Sequence, residues 1–267
     1  MIGGKIRGCI FDLGGTIVDR YSIISLLSFK QLFSERGISI DNNILLKEMG
    51  MNQQYHILSI LNKKMVADQW RQKYEDYPDD IDIRFIIDEL NTIQSEYSSG
   101  MIDILPETRS CIDFLNFNYI KTGCITGFNQ DNMNIIKNKL EKKGIYLDSY
   151  VSSTCLNKPY IPDLKMIKKN MNNFKLDNPE QIMRVSNTVV GIMEGNRTGC
   201  ITVGAARWSS NMKITNINDA YEYNINELSN QLKYSRNILK EADYVIDTLD
   251  ELPLIIDQIN YKQIKVK

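Results

Sequence analysis

A single histidine, His56, serves the whole 267-residue chain. That scarcity excludes every metal site built from several imidazoles and leaves a serine or cysteine hydrolase of the usual kind with one candidate base. Chemistry here falls to carboxylates, hydroxyls, amines or backbone. An excess of charge is missing too: 32 Lys+Arg stand against 33 Asp+Glu, so no field attracts a polyanion and no nucleic acid partner is expected. Apolar runs such as the one around Ile23 to Leu27 stop far short of the ~18 residues of a membrane span, so no membrane association is expected either. The opening stretch from Met1 to Asp12 lacks the apolar segment and small-residue cleavage site of a secretory signal, and a cytoplasmic location is the expectation. Cys9, Cys111, Cys124, Cys155 and Cys200 are odd in number, widely spaced and mostly in apolar surroundings, which fits reduced core thiols rather than a disulfide framework or a zinc site. Internal repeats are absent.

What is present is the composition of an ordinary globular protein, 43% apolar and 24% charged, arranged as an alternation. Short apolar runs occur at Ile6 to Phe11, Thr122 to Ile125, Tyr150 to Val151, Ile182 to Val185, Cys200 to Val203 and Tyr244 to Ile246. Segments of helical period lie between most of them, at Thr108 to Phe117, Gln130 to Lys143, Leu164 to Asn172 and Val189 to Thr198. The alternation predicts βαβ units and a parallel sheet, an α/β fold. Residues 22–98 break it with helical segments alone, Ile23 to Arg36, Asn43 to Leu61, Met65 to Tyr74 and Ile81 to Tyr97. They predict an inserted helical cap over 21–100, hinged at Asp19 to Tyr21 and Ser98 to Gly100, on a core formed by 1–20 and 101–267. Ala205 to Asp243, rich in Asn and Tyr with a weak helix near Asn226 to Glu241, reads as a surface excursion.

In a parallel sheet, ligands meet the carboxyl ends of the strands near a reversal of strand order. Four segments converge there: Asp12 to Thr16, Thr126-Gly127, Asn157 to Pro159, and Ser186 to Gly191. A carboxylate, a glycine turn offering amides at Gly14 and Gly15, a hydroxyl and a lysine together form a phosphate cradle with a nucleophile. The alternative for Asp12 is a strand-end carboxylate capping its glycine turn; for Thr126 and Lys158 it is a turn hydroxyl and a solvated lysine.

The motifs Phe11-Asp12-Leu13-Gly14-Gly15-Thr16, Cys124-Ile125-Thr126-Gly127 and Lys158-Pro159 stand in the order of those of the haloacid dehalogenase superfamily, which the chain resembles. Within it, Arg36-Gly37, Met49-Gly50, His56, Thr126-Gly127-Phe128, Met193-Glu194-Gly195 and Val203-Gly204 resemble the phosphonoacetaldehyde hydrolase, or phosphonatase, family over nearly the whole length. The resemblance implies a Rossmann-like core with a helical cap. It also implies an aspartyl-phosphate mechanism with Asp12 as nucleophile and metal ligand, Gly14, Gly15, Thr126, Gly127 and Lys158 around the phosphate, magnesium as cofactor, and homodimers formed through the cap.

Three positions depart from that pattern. The lysine that forms an imine with the substrate aldehyde is replaced by Gln53, whose amide nitrogen is not nucleophilic. The two carboxylates that serve the metal are replaced by Asn187 and Gly191, so magnesium binding should be weak or absent. Gly14, where ordinary phosphatases of the superfamily carry an acid, does not depart from the pattern, since the resemblance implies a small residue there in phosphonatases. His56 then reads as a packed cap residue more readily than a proton shuttle, and Glu194 as a non-ligand. The expectation is a phosphonatase-like protein that has lost C–P hydrolysis and retains a cleft for a small phosphorylated or phosphonate ligand or a protein partner. Its alternative is a phosphohydrolase of altered specificity working through an Asp12 phosphoaspartyl intermediate.

Overall fold

The computed structural model describes residues 5–153, 164–216, 218–219 and 225–264. Six strands, β1 (Gly8–Asp12), β2 (Lys121–Thr126), β3 (Ser149–Ser152), β4 (Ile182–Ser186), β5 (Ile201–Ala205) and β6 (Tyr244–Ile246), form one sheet in the order β3-β2-β1-β4-β5-β6. Every pair is parallel. Helices α6 (Thr108–Phe117), α7 (Gln130–Lys142), α8 (Leu164–Phe174), α9 (Val189–Thr198), α10 (Ile225–Ile238) and α11 (Leu252–Ile264) accompany it. Strands of a parallel sheet are covered on both faces and read as short continuous apolar runs, which is why all six were legible. The Phe11, Val185, Cys124 and Val203 side chains are fully buried in the main core.

Residues 23–101 form helices α1 (Ile23–Glu35), α2 (Asn42–Lys47), α3 (Gln53–Leu61), α4 (Lys64–Tyr74) and α5 (Asp80–Met101), and α5 also packs on α7. None of the described helices is long and apolar enough to cross a membrane. The expected single helix from Asn43 to Leu61 is broken in two. Gly50 adopts a left-handed φ of +90°, and a Cβ there would fall 2.7 Å from Thr188 Oγ1. The α2–α3 loop thus leans its bare backbone on the far end of β4, a contact that apolar periodicity cannot reveal.

The two crossings between helices and sheet run side by side. Val18 pairs antiparallel with Ile104, the Asp19 N–H donates to Asp103 O at 2.9 Å, and Arg20 Nε meets Asp103 Oδ2 at 2.6 Å. The second crossing is therefore at 102–104, whereas Ser98 to Gly100 continue α5. Asp19, Tyr21 and Ser22 all adopt positive φ, between 52° and 62°. The segment after β5 also differs from expectation. Met212 and Ile214 are buried with Tyr21 in a small core of their own, so Asn-rich composition here hides a buttress rather than a free excursion.

Cys9, Cys111, Cys124 and Cys200 are buried and free. Burial pushes the Cys9 thiol up from its ordinary value, and Cys111, Cys124 and Cys200 up to about 12 for the same principal reason. None of these four is a thiolate at neutral pH. Cys155 and Lys158 lie outside the described residues.

Candidate functional site

Strand order reverses between β1 and β4, since β2 follows on one side of β1 and β4 to β6 on the other. Asp12 ends β1 and Ser186 ends β4, so both stand at the crevice where α/β folds take ligands. A cavity of about 110 Å³ opens there, of a size for a small metabolite. Asp12, Gly14, Thr126, Gly127, Asn187 and Gly191 line its sheet side; Met49, Gly50, Gln53, His56 and Gln94 line its helical side.

Asp12 is not left free. Its Oδ1 accepts from Arg184 Nη2, and its Oδ2 accepts from the Ser186 hydroxyl and, at 3.3 Å, from the Asn187 backbone N–H. With its NH2 turned toward the acceptors, the Asn187 side-chain amide adds Asp12 Oδ2, Thr16 Oγ1 and the Gly14 carbonyl, each at 3.2 Å. The Ser186 hydroxyl in turn accepts from Thr188 N at 3.1 Å, and Thr188 caps α9 by accepting from Gly191 N at 3.1 Å. From the segment after β5, Ser209 Oγ donates to the Asn187 carbonyl at 2.7 Å and fixes this turn from behind.

Arg184 is the residue in contact with Asp12 that sequence reasoning missed. It is 1% exposed, within β4, and it also lies 3.6 Å from Glu194. Its Nη1 donates to Val185 O at 3.0 Å. Burial pulls its pKa down, but Asp12 and then Glu194 outweigh that, so the guanidinium is held above its ordinary value. The signal was present: a basic residue inside an apolar strand run, followed by Gly191 and Gly195 one helical turn apart.

The Gly15 N–H donates to Val18 O at 2.8 Å and Asp19 O at 2.9 Å, closing the turn after β1, while Gly14 lines the cavity. Thr126 Oγ1 accepts from Phe128 N at 3.1 Å, and the Gly127 carbonyl accepts from Ser153 Oγ at 2.9 Å.

On the helical side, Gln53 opens α3 and donates through Nε2 to Gln94 Oε1 at 2.6 Å. His56 is 3% exposed, packs on Phe29 at 4.3 Å between ring centroids, and places Nε2 2.9 Å from Leu45 O. Burial draws its pKa down to about 4, so it is a neutral, packed ring at pH 7. Asp19, at the first crossing, accepts from Ile24 N at 3.1 Å and keeps Oδ2 buried without a partner. Burial raises its carboxyl to about 8.

That shift has a sign. The folded protein keeps the Asp19 proton up to about pH 8, whereas the unfolded chain releases it near the ordinary carboxyl value of 3.8. Stability contributed by this group is fully present below the lower value and is lost as pH rises toward the upper one. His56, with its folded value depressed to about 4, works oppositely and only below about 6.5. Urea unfolding should therefore show falling stability from pH 6.5 to 8, and Asp19→Asn should flatten that interval. An unchanged slope in the variant would remove Asp19 as the cause.

Comparison with known proteins agrees with this architecture. The model of the haloacid dehalogenase-like hydrolases matches residues 9–205. The phosphonoacetaldehyde hydrolase of Syntrophobacter fumaroxidans is 25% identical over 260 residues, covering 96% of this chain and 93% of that one. That of Bacteroides fragilis is 26% identical, covering 97% and 98%. The crystal structure of a phosphonoacetaldehyde hydrolase-like protein from Oleispira antarctica superposes with a TM-score of 0.90 at 23% identity, covering 97% of this chain and 94% of that one. A β-phosphoglucomutase from Clostridium difficile superposes at 0.68 with 20% identity, covering 98% and 100%. Strand order, the Asp12 crevice and the family match over most of its length agree that this chain belongs to the haloacid dehalogenase-like hydrolase family.

Proposed function

We propose that this chain binds a small phosphorylated or phosphonate compound between the sheet edge and the helices of 21–100, without cleaving a C–P bond. The observation that carries this reading is the engagement of both Asp12 oxygens by protein donors, Arg184 on Oδ1 and Ser186 and Asn187 on Oδ2. Attack on phosphorus requires an oxygen lone pair presented in line at about 3–3.5 Å. A carboxylate that accepts from a guanidinium and a hydroxyl has its oxygens' electron density withdrawn and is a weaker nucleophile. Gln53 supports the same reading, because an amide bonded to Gln94 offers no amine for an imine. In this reading, 1–20 and 101–267 are the core, 21–100 is a cap that covers the ligand, and homodimers form through the cap.

Calorimetric titration with inorganic phosphate and phosphonoacetaldehyde tests the proposal. Binding of the phosphonate is expected, with no acetaldehyde released and no adduct trapped by borohydride. Rapid acetaldehyde release would overturn it. The second reading, a phosphohydrolase acting through an Asp12 phosphoaspartate, is favoured by one observation: the Asp12 side chain keeps 16% of its surface open at the cavity. A phosphoryl adduct on Asp12 after exposure to acetyl phosphate, followed by release of inorganic phosphate, would establish that reading instead.

A further inference from the structure

The resemblance implies a magnesium site at the ends of β1 and β4, and the residues present do not fit one. Asn187 offers a neutral amide and Gly191 no side chain, while the ligand they would share, Asp12, is covered by protein donors. Magnesium needs a near-octahedral set of oxygens at about 2.0–2.1 Å, held chiefly by carboxylates. The room for a second carboxylate is closed as well: a Cβ at Gly191 would lie 2.2 Å from Ser186 Oγ and 2.8 Å from Arg184 Nη2.

We propose that Arg184 is the resident cation of this site, a guanidinium fixed to the chain in place of a divalent ion. The proposal rests on reading the cleft as a ligand site, and it adds that the site's charge balance is metal-independent. Three observations support it. First, a buried guanidinium is tolerated only where it is paired, and Arg184 meets Asp12 directly and Glu194 at 3.6 Å. Second, its path is carved by small residues: a Cβ at Gly195 would lie 3.0 Å from Arg184 Cγ and 3.1 Å from its Cβ. Gly191 clears the guanidinium and Gly195 clears the stem, so arginine at 184 and glycine at 191 are sterically one feature. Third, the described residues contain no group of three or more His, Cys, Asp or Glu that could hold a metal ion, so a divalent ion finds no set of anions among them.

Manganese titration of the full chain, followed by the loss of the free-ion paramagnetic resonance signal, tests the proposal on the wild type. No uptake is expected at micromolar concentrations, and the melting temperature should be the same in EDTA and in millimolar magnesium. Arg184→Met, which keeps the apolar stem and removes the charge, should melt roughly 10 °C lower, while Arg184→Lys should recover part of that loss. The combined variant Arg184→Met/Ser186→Gly/Asn187→Asp/Gly191→Asp should take up manganese and melt higher in its presence. Micromolar uptake by the wild type, or an unchanged melting temperature in Arg184→Met, would overturn the proposal. The wild-type titration decides the question even if the variants fail to fold. Absence of both manganese and phosphonate binding would overturn the ligand-site reading alone and leave the resident cation standing.

Discussion

Gly191→Asp should lower the melting temperature by roughly 10 °C and should not create a metal centre. The family pattern would lead to the opposite expectation, since an acid at this position is what the resemblance implies. The obstacle is local. Position 191 is in the first turn of α9, and its added Cβ would meet the Ser186 hydroxyl at 2.2 Å and Arg184 Nη2 at 2.8 Å. Neither neighbour is the loose end of a flexible chain, because both are bound to Asp12. Overpacking of this kind costs about 1–3 kcal/mol, and displacement of two buried hydrogen-bonding groups adds to it. Gly191→Ala isolates the packing part and should account for most of the loss. Adding Ser186→Gly to Gly191→Asp should recover a measurable fraction of it by removing the nearest contact. Thermal melts of the three variants check this, and a Gly191→Asp protein as stable as the wild type would show that the site relaxes far more than the geometry allows.

A second large effect is expected at Asp12. In a protein whose nucleophile faces open solvent without a partner, replacing the carboxylate by an amide leaves stability unchanged or raises it. Here Asp12→Asn should destabilise by about 3 kcal/mol, because among the described residues it leaves buried Arg184 with Glu194, at 3.6 Å, as its remaining carboxylate. This is the lower end of the range for breaking a buried pair, since Glu194 remains and the Asp12 side chain is 16% exposed. Asp12→Asn/Arg184→Met should be more stable than the sum of the single losses predicts, with a coupling of about 2 kcal/mol. Urea unfolding of the four proteins measures the cycle. Additive losses would mean that the two side chains do not depend on one another.

Most of the architecture is readable from the chain because its physics is repetitive. A strand such as Ile182–Ser186 is buried along its whole length, and only apolar or compact residues satisfy that without help. The same repetition concealed the most informative residue: Arg184 lies inside that run and was read as part of its apolar pattern. A long side chain there is stable only because of two glycines on the following helix and a carboxylate on a neighbouring strand, relations across 7 to 172 residues of sequence. The break at Gly50 was hidden for a different reason, because what turns the chain there is its contact with Thr188, far away in sequence. Composition misled after β5, where Met212 and Ile214 supply the burial while Asn and Lys fill the sequence around them. At the site itself, the spacing of Asp12, Thr126 and Asn187 identified the crevice, but it could not show that Asp12 was already engaged or that the Gly15 amide was spent within its own turn.

The counter-charge of Asp12 travels on β4, anchored by a covalent stem threaded beneath α9. A dissolved ion arrives, departs and is swapped for its rivals according to supply, whereas a side chain has no dissociation rate and no competitor. Chelators, scarcity and intruding transition metals act on sites that must be loaded. A centre whose positive charge is translated together with its backbone is mature as soon as the polypeptide has folded.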